Sequence, residues 1–569
     1  MNERPAVPPA VGLPTLNGRS AFVSLLASEG VDVMFGNPGT TELAIMQALG
    51  EQAAIRYVLG LQESIVVGMA DGYARASGRL AACNVHVAPG LGNAMGSLYN
   101  AKFYGSPVLL TAGQQEQGFG LTEPLLYDPL VPIAQPCVKW ATEVTRVEDL
   151  PRIMRRAAKV ALTPPTGPVF ISLPGDILDA AAPLDLGRPT RVDAATRPSD
   201  DALATLADTL LAARAPVLIA GHELGTAHAF DEAAALAELL GAPVYQQSVP
   251  SAAHFRTDHP AYMGPITRSQ PQVRATLEAH DLLVLLGADQ LRMAVFNRVD
   301  PLPPGMRIVQ ISERAWELGK NYPAEIALNA NIRETLRALL PVLRARGDAT
   351  SRAQAQARLA ALAESNWQAK CARERADAAR CLDARPLEPR LMTVKLVEGL
   401  HRDAVVVEEG LTSTATLLNV LPLRDPQGFF GLASGGIGFA MAGAIGISLA
   451  LPDRPIVAVV GDGSALYSIQ ALWTAAHLHL PITYVIANNR GYRILKERMK
   501  ALRGAEFYQG MDFLAPAFDF VALARSMGVP AERVTEPDEL PQALAAAQAA
   551  GGPRLLDVSV ADGSAGARI

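Results

Sequence analysis

Short apolar runs along this chain alternate with longer stretches whose apolar residues have helical spacing. Between residues 455 and 487 the run PIVAVV predicts a buried strand, GDGS a turn, ALYSIQALWTAAHLHL a helix and PITYVIA a second strand. Further buried strands are predicted at APVLIAG, DLLVLLGA and RIVQIS. Strands that alternate with helices are typical of parallel sheets covered on both faces, so the predicted fold class is α/β.

The pattern divides the chain into three α/β domains, each with a mostly parallel sheet flanked by helices. A length of 569 residues accommodates three domains of ordinary size. The segment 181–200 has few periodic apolar positions and reads as a linker. The predicted boundaries are a flexible tail over 1–14, a first domain over 15–185, a middle domain over 201–345, a helical linker over 346–388 and a third domain over 389–569.

An internal repeat relates the first and third domains. Shifting the chain by 374 residues aligns two segments without a gap, and both predict helix, strand, turn, helix and strand. The shift places Gly72 on Gly446, Pro107 on Pro481, Ala88 on Asp462, Gln115 on Asn489 and Glu63 on Ile437. Duplication of one domain explains this register. The alternative is that any two strand–helix–strand units share small residues where helix and sheet touch.

Composition and charge exclude several classes of function. A net charge of −6 without a block rich in Lys and Arg argues against nucleic acid as a partner. No apolar run is long enough for a membrane helix, and the N-terminal residues lack a signal-peptide core, so no membrane association is expected. The four cysteines have no metal-binding spacing, which favours a cytoplasmic location.

The chemistry-bearing signal is GDGS followed by an Asn pair. Asp462 and Asn489 are 27 residues apart and fall at the carboxyl ends of two predicted parallel strands, where α/β sheets bind ligands. Together with a backbone carbonyl near Gly491 they offer the oxygen ligands that Mg²⁺ prefers. Gly461 and Gly463 permit close backbone approach, and a helix start after Ser464 favours an anion, so a Mg-diphosphate site is predicted. A glycine turn that only connects strand to helix is the alternative.

These motifs resemble those of the thiamine diphosphate enzymes, and the resemblance runs from about residue 36 to about residue 560. Within that superfamily the chain is most similar to the benzoylformate decarboxylase group. The supporting segments are FGNPGTTEL (35–43), LQESIVVGMADGYARASGR (61–79), NVHVAPGLGNAMGSLYNA (84–101), TAGQQ (111–115), EEGLTST (408–414) and GGIGFAMAGAIG (435–446). The resemblance implies thiamine diphosphate and Mg²⁺ as cofactors.

The resemblance also implies roles for individual residues. Glu63 is the glutamate that hydrogen-bonds N1′ of the cofactor's aminopyrimidine, although a glutamate that merely favours a helix N-terminus is the plain alternative. Asp462, Asn489 and the carbonyl of Gly491 are the implied Mg²⁺ ligands. The implied cofactor-binding set is Glu63, Thr412, Ser413, Gly435, Ile437, Gly461, Asp462, Gly463, Ser464, Asn489, Gly491 and Tyr492. For Thr412 and Ser413 an ordinary helix cap remains an alternative.

The candidates for substrate handling come from the same resemblance. They are Thr40, His86, Gln114 and Ser434, with Glu63, His86, Thr40 and Ser434 as the implied catalytic residues. His86 follows a strand that ends at the expected cleft, and imidazole is suited to moving protons near neutral pH. The alternative is a histidine with purely structural hydrogen bonds at a strand end.

Two departures from the benzoylformate decarboxylase pattern concern the substrate. Ala294 stands where that group carries a second active-site histidine in the middle domain. The segment RGYRILKERMK (490–500) is basic where the group is apolar, and Lys496 and Arg498 bring positive charge to it. Either this is a solvated helix face, or a cation there faces a second anionic group on the substrate.

The sequence therefore predicts a thiamine diphosphate- and Mg²⁺-dependent enzyme that decarboxylates a 2-oxo acid to an aldehyde without oxidation. The alternatives are a carboligase or lyase of the acetolactate synthase or 2-hydroxyacyl-CoA lyase type, and a non-catalytic protein with the same fold. The resemblance implies a homodimer or homotetramer with active sites at the subunit interface. The middle domain resembles one that binds FAD in some relatives, and we expect no nucleotide there.

Overall fold

The structure is a computed structural model that describes residues 12–289, 291–293 and 297–562. It consists of two compact units, one up to Asp193 and one from Ala194 onward. Most of the predicted N-terminal tail lies outside the described residues. So does Ala294, the residue that stands where the benzoylformate decarboxylase group carries a histidine.

The first unit contains one six-stranded parallel sheet. The strands of the whole unit, of which β2 to β7 form this sheet, are β1 Thr15–Asn17, β2 Val33–Gly36, β3 Arg56–Leu59, β4 Ala81–His86, β5 Val108–Gln114, β6 Trp140–Glu143, β7 Val169–Pro174 and β8 Ala181–Pro183. Its helices are α1 Gly18–Ser28, α2 Leu43–Glu51, α3 Glu63–Ser77, α4 Val87–Tyr104, α5 Leu130–Ala134, α6 Leu150–Leu162 and α7 Gly175–Asp179. The strand order is β3-β2-β4-β5-β7-β6, and every pairing is parallel.

A separate two-stranded ribbon joins the beginning of this unit to its end. Strand β1 pairs antiparallel with β8, so that Thr15 lies opposite Pro183 and Asn17 opposite Ala181. Helix α1 begins directly afterwards, with the Asn17 side chain accepting a hydrogen bond from the backbone N–H of Ser20 at 2.8 Å. A β-carbon at Gly18 would lie 2.1 Å from the carbonyl oxygen of Ile177, so only glycine fits at this junction.

The second unit opens with a middle sheet and two linking helices. The strands are β9 Pro216–Ala220, β10 Val244–Gln246, β11 Tyr262–Pro265, β12 Leu282–Leu286, β13 Arg307–Ser312 and β14 Ile326–Asn329. The helices are α8 Asp200–Ala212, α9 His222–Thr226, α10 Phe230–Leu240, α11 Gln270–Leu277, α12 Ile332–Arg346, α13 Ala349–Ala361 and α14 Trp367–Ala378. The order β11-β10-β9-β12-β13-β14 reverses direction between β9 and β12, as in doubly wound folds.

The same unit ends with a third six-stranded parallel sheet. The strands are β15 Val405–Glu409, β16 Phe429–Gly431, β17 Ile456–Gly461, β18 Ile482–Asn488, β19 Ala531–Val534 and β20 Arg554–Ser559. The helices are α15 Pro389–Gly399, α16 Leu417–Val420, α17 Phe439–Ala450, α18 Asp462–Ala465, α19 Ala471–His477, α20 Arg493–Arg503, α21 Phe520–Ser526 and α22 Glu539–Ala549. Three six-stranded parallel sheets flanked by helices confirm the predicted α/β fold class.

The first and third sheets share one topology. The order β16-β15-β17-β18-β20-β19 repeats β3-β2-β4-β5-β7-β6 strand for strand, as a duplicated domain would. The predicted gap-free register is wrong by one residue, because β5 and β18 start 374 residues apart whereas β4 and β17 start 375 apart. Strands β17 and β18, at the centre of the third sheet, are buried on both faces, which explains why the runs PIVAVV and PITYVIA are continuously apolar.

One predicted helix is broken. The stretch ALYSIQALWTAAHLHL was expected to be continuous, but α18 ends at Ala465 and α19 begins at Ala471. Between them the buried hydroxyl of Ser468 donates a 2.9 Å hydrogen bond to the carbonyl oxygen of Gly438. A side chain that bonds to a distant backbone group competes with the helical conformation, and its apolar neighbours gave no sign of this contact.

Candidate active site

In the first unit, Glu63 starts helix α3 directly beyond β3. The side chain of Gln62 caps the helix by accepting the N–H of Ser64 at 2.6 Å. Glu63 is 9% exposed, and its carboxylate accepts amide hydrogen bonds from Asn93 at 3.1 Å and Asn37 at 3.5 Å. A β-carbon at Gly90 would lie 3.1 Å from the Glu63 Oε1 atom, so the glycine keeps space beside the carboxylate.

His86 ends strand β4 and is held by a buried carboxylate, Glu42. The His86 Nδ1 atom lies 2.8 Å from Oε2 of Glu42 and 3.1 Å from Oγ1 of Thr41. Glu42 is fully buried and also accepts the backbone N–H groups of Gly39 at 2.8 Å and Gly113 at 2.9 Å. With Nδ1 facing a carboxylate, the second ring nitrogen, Nε2, is the one available to a substrate.

Glu42 was missing from the predicted site. Its sequence signal is Gly39-Thr-Thr-Glu42, in which a glutamate three residues after the start of a helical turn reaches back to the first backbone N–H. That pattern occurs in many helices that have no catalytic role. The link from Glu42 to His86 spans 44 residues and two strands, so it is visible only in the fold.

The other predicted substrate residues of this unit differ in accessibility. Thr40 is exposed at the start of the turn that carries Glu42. Gln114 is buried, and its side chain bonds within its own loop, with Nε2 donating to the carbonyl of Asp128 at 2.9 Å and Oε1 accepting the N–H of Gln115 at 2.9 Å. In this arrangement both ends of the Gln114 amide are bonded to the loop after β5.

In the second unit, Asp462 and Asn489 converge on one backbone N–H. Asp462 follows β17 and Asn489 follows β18, and these strands are neighbours in the sheet. The Gly491 N–H lies 3.1 Å from Oδ2 of Asp462 and 3.1 Å from Oδ1 of Asn489. Asn489 also donates from Nδ2 to Oγ of Ser413 at 3.2 Å. The predicted pair therefore lies together, with Ser413 beside it.

The donor set fits Mg²⁺. Asp462 is 2% exposed, and burial raises its pKa to about 6, while backbone N–H groups including those of Gly463 and Gly491 oppose the rise. A buried carboxylate without a cationic partner is a costly group that a bound cation would stabilise. Among the described residues no cluster of three His, Cys, Asp or Glu side chains can hold a metal, so the oxygen-only set of Asp462 and Asn489 is compatible with Mg²⁺ rather than zinc.

The remaining residues of this segment are packed tightly around the turn. A β-carbon at Gly463 would lie 2.5 Å from the Tyr492 ring, and one at Gly491 would lie 2.5 Å from the carbonyl oxygen of Met511. The Gly491 carbonyl accepts the N–H of Arg493 at 3.1 Å. Ser464 lies inside α18, which begins at Asp462, so the helix starts three residues earlier than predicted. Gly461 is the residue before this helix.

A second buried carboxylate, Glu409, holds the turn that contains Ser434, Gly435 and Ile437. Glu409 accepts the backbone N–H of Gly438 at 2.5 Å and that of Ala440 at 2.7 Å, at the start of α17. Burial raises the pKa of Glu409 to about 7. Ser434 accepts the Gly436 N–H at 3.1 Å, Gly435 is exposed with a φ of +84°, and Ile437 is half-buried.

The neighbouring Glu408 holds the segment that contains Thr412 and Ser413. Its carboxylate accepts the Gly410 N–H at 2.8 Å and the Thr414 hydroxyl at 2.5 Å. Burial raises the pKa of Glu408. Neither glutamate was predicted as a site residue. The acidic pair at the end of an apolar strand in VVVEEG was the available signal.

Strained backbone adjoins both parts of the candidate site. Val87 follows His86 with a φ of +43°, Leu411 precedes Thr412 with a φ of +51°, and Arg490 follows Asn489 with a φ of +61°. Positive φ is unfavourable for these residues, most of all for the β-branched valine. Such strain persists where the surrounding structure fixes the chain, and it concentrates at functional sites.

Lys496, on the basic helix α20, does not have the substrate-facing role that was one of its predicted alternatives. The Lys496 ammonium group is buried and pairs with the carboxylates of Asp512 and, at 2.8 Å, Asp562. Its charge is therefore used within the fold rather than directed to a substrate. Arg498 is half-buried and forms no ion pair with any described residue.

In the middle sheet, a buried carboxylate lies at the crevice where strand order reverses. The buried Glu223 follows β9, and its carboxylate accepts the Ser312 hydroxyl at 2.6 Å and the Glu313 N–H at 2.9 Å. A β-carbon at Gly287, at the end of β12, would lie 2.4 Å from the side chain of Glu223. A carboxylate at this position is unfavourable for a nucleotide phosphate.

The comparisons with known proteins match all three parts of the chain. Residues 16–122 match the N-terminal TPP binding domain of the thiamine pyrophosphate enzymes, 203–339 their central domain and 412–558 their C-terminal TPP binding domain. The chain belongs to the thiamine pyrophosphate enzyme family. Thiamine pyrophosphate is another name for thiamine diphosphate, so the superfamily predicted from the sequence is confirmed.

Relatives of this thiamine pyrophosphate enzyme include decarboxylases and synthases. It is 35% identical to benzoylformate decarboxylase of Pseudomonas aeruginosa, over 95% of this chain and 98% of that protein. It is 28% identical to the acetolactate synthase large subunit of Parasynechococcus marenigrum, over 96% and 88% of the two chains. The solved structure of a thiamine diphosphate-dependent 4-hydroxybenzoylformate decarboxylase from Rhodococcus jostii superposes with a TM-score of 0.84 at 31% identity, over 96% and 99%.

No helix within the described ranges is long and apolar enough to cross a membrane.

Proposed function

We propose that this thiamine pyrophosphate enzyme binds thiamine diphosphate with Mg²⁺ and decarboxylates a 2-oxo acid to an aldehyde. The convergence of Asp462, Asn489 and the Gly491 backbone beside Ser413 carries the proposal, because it places carboxylate and amide oxygens next to a hydroxyl group. The choice of decarboxylation is supported by 35% identity to benzoylformate decarboxylase over 95% of the chain.

Thiamine diphosphate, when bound, supplies a nucleophilic carbon and an electron sink for the electron pair that remains when CO₂ departs. The chain has to bind and orient the reactants and handle the protons. Asp462 and Asn489 would hold the metal through their side-chain oxygens. Glu63 would exchange a proton with N1′ of the aminopyrimidine, and its amide partners Asn37 and Asn93 would fix the carboxylate while it does so.

His86 is the proposed proton carrier for the substrate. Glu42 accepts a hydrogen bond from the Nδ1–H group, which fixes the tautomer and leaves Nε2 to take or give a proton. The carboxylate would also stabilise the imidazolium when His86 is protonated, as a buried acid does beside a catalytic histidine. Thr40 is exposed and lies two residues before Glu42 in the sequence. Its hydroxyl would donate a hydrogen bond to the substrate carboxylate. Ser434, from the third domain, is the other hydroxyl residue that we propose for substrate handling.

The test is a panel of 2-oxo acids supplied to the full chain after loading with thiamine diphosphate and Mg²⁺. The proposal expects CO₂ and an equimolar aldehyde. An acyloin or an acyl-CoA as the main product would instead assign the chain to the carboligase or lyase class, which the acetolactate synthase relatives keep open as an alternative. Cofactor binding without turnover of any member of the panel would indicate a non-catalytic protein.

The proposed enzyme is at least a dimer, and the predicted homodimer or homotetramer is retained here as part of the proposal. Its support is the resemblance to a family whose active sites lie between subunits. An isologous pair is the expected symmetry, because it would give two equivalent sites.

A further inference from the structure

Three loops of the third sheet are joined at one residue, Gly438. Its backbone N–H donates to Oε1 of Glu409 at 2.5 Å, and its carbonyl oxygen accepts the hydroxyl of Ser468 at 2.9 Å. Glu409 and Ser468 are both 0% exposed, so water does not compete for either bond. Side chains from two other loops therefore hold both backbone polar groups of this glycine.

Each of the two side chains belongs to a segment of the proposed metal site. Glu409 ends β15 and directly precedes the loop that carries Ser413, whose hydroxyl accepts the amide of Asn489 at 3.2 Å. Ser468 lies in the turn between α18, which begins at Asp462, and α19. The two bonds at the start of α17 therefore tie a third loop to the two loops that surround the proposed metal site.

This third loop, residues 432–438, comes from a part of the sheet remote from the metal ligands. It follows β16, and the strand order is β16-β15-β17-β18, with Asp462 after β17 and Asn489 after β18. Neighbouring strands are about 4.8 Å apart, so the end of β16 lies about 10 Å from that of β17 and about 14 Å from that of β18. A ligand whose diphosphate is held by the metal would contact this loop only with its other end.

The backbone at Gly438 fixes where the loop ends. Its φ of +114° is a conformation that residues with a side chain rarely adopt, and a β-carbon there would lie 3.2 Å from the β-carbon of Tyr467. The Glu409 carboxylate also accepts the N–H of Ala440 at 2.7 Å, in the first turn of α17. A carboxylate that bonds two N–H groups at a helix N-terminus holds that end of the helix firmly.

We propose that Glu409 and Ser468 are positioning residues that hold Gly438, and with it the loop 432–438, in place to receive the ring end of the cofactor. Their two bonds form the Gly438 clamp. The inference rests on the proposed binding of thiamine diphosphate with Mg²⁺ and deepens it, because it separates the residues that set affinity for the rings from those that bind the metal. Neither side chain has to touch the cofactor.

The test is calorimetric titration of the full chain with two probes, thiamine diphosphate and inorganic diphosphate, each with Mg²⁺. Inorganic diphosphate offers only the metal end of the cofactor. Glu409→Gln keeps the size but turns an amide nitrogen towards one of the two N–H groups, and it should weaken binding of thiamine diphosphate about tenfold or more. Ser468→Ala loses a neutral hydrogen bond and should weaken it several-fold. Both variants should bind inorganic diphosphate as the wild type does.

The double variant tests whether the two side chains act through the same residue. Once either bond is lost and the loop is free, loss of the other should add little, because partners in one network are not additive. The double variant should therefore bind thiamine diphosphate about as weakly as Glu409→Gln alone. An effect equal to the product of the two single effects would overturn the shared clamp.

A matched control separates this role from general damage to the fold. Thr335→Val removes another fully buried hydroxyl, which donates to the carbonyl oxygen of Asn331 at 2.7 Å in helix α12 beside the middle sheet. It should change the binding of neither probe. If the clamp variants weaken both probes equally, or leave the affinity for thiamine diphosphate unchanged, the inference is overturned.

A measurement without cofactor distinguishes failure of the clamp from failure of the proposed function. Hydrogen–deuterium exchange of the cofactor-free full chain should be faster in Glu409→Gln over residues 434–440, which contain the amides bonded to Glu409, and unchanged in β18. Cofactor binding by the wild type together with unaltered exchange in the variant would remove the clamp alone. A wild type that binds no thiamine diphosphate would overturn the proposed function, and the assignment of the clamp to the cofactor with it.

Discussion

Asp462→Asn should make the metal-free protein more stable at pH 8 while abolishing its response to cofactor. In the folded protein the Asp462 pKa is raised from 3.8 to about 6 by burial. Between these values the folded state holds a proton that the unfolded state has released. The stability contributed by Asp462 is therefore complete below pH 3.8 and is lost as the pH rises through about 6.

The size of the effect follows from the pKa difference and the hydrogen bonds. A difference of about two pKa units corresponds to about 3 kcal/mol that the charged form costs at pH 8. Asparagine is neutral and keeps one oxygen for a backbone N–H. Its amide nitrogen would face the second N–H, from Gly463 or Gly491, and that lost hydrogen bond costs about 1 kcal/mol. The expected net gain is about 2 kcal/mol.

The assay is scanning calorimetry of the full chain at pH 8 in a chelator, and again with Mg²⁺ and thiamine diphosphate. The variant should unfold at a higher temperature than the wild type in chelator at pH 8, and the difference should shrink as the pH is lowered to 5. Ligand should then stabilise the wild type by mass action and leave the variant unchanged. A variant that is less stable than the wild type in chelator at pH 8, or that gains as much from ligand, would refute the reasoning.

Asp557→Asn is the matched control. Asp557 is as buried as Asp462, but it accepts hydrogen bonds from Arg533 at 3.0 Å and Asn488 at 2.9 Å. Removing this charge takes from Arg533 its buried carboxylate partner and leaves it only the exposed Asp519, at 3.3 Å. The control should therefore destabilise the protein at pH 8 and have no specific effect on metal binding.

Three further predictions concern catalysis and assembly. Glu63→Gln should bind thiamine diphosphate with affinity similar to the wild type but lower kcat by a factor on the order of 10²; hydrogen–deuterium exchange at C2 of bound cofactor at the wild-type rate would contradict it. Glu42→Gln should lower kcat/KM about tenfold or more, because His86 loses the carboxylate that orients its ring; the exposed Glu51→Gln is the control, and an equal kcat/KM in the two variants would contradict this role. Light scattering at assay concentration should find a dimer or tetramer, and a fully active monomer would exclude the proposed assembly.

The sequence was sufficient for the features that depend on local pattern. Continuous apolar strands alternating with helices predicted three parallel sheets, because a strand buried on both faces has to be apolar throughout. Asp462 and Asn489 were found from their positions at the ends of two strands, and β17 and β18 are indeed neighbours. Parallel pairing of successive strands brings their ends together without any information from distant residues.

Contacts between distant segments were not predictable in the same way. Glu42 and Glu409 each bond to backbone or side-chain groups about 30 to 70 residues away, and a glutamate in the sequence does not indicate which groups donate to it. Lys496 looked like part of a basic surface because Asp512 and Asp562 lie 16 and 66 residues further along. Charge patterns report which groups exist, and the fold decides which of them neutralise one another.

The β1–β8 ribbon has a consequence for how such a chain can arise. It places the first and last strands of the first unit side by side, with Thr15 opposite Pro183. A segment whose two ends meet can be copied and joined elsewhere in a gene with little disturbance of its interior. The third sheet, with the same strand order, is what one such copying event would leave behind.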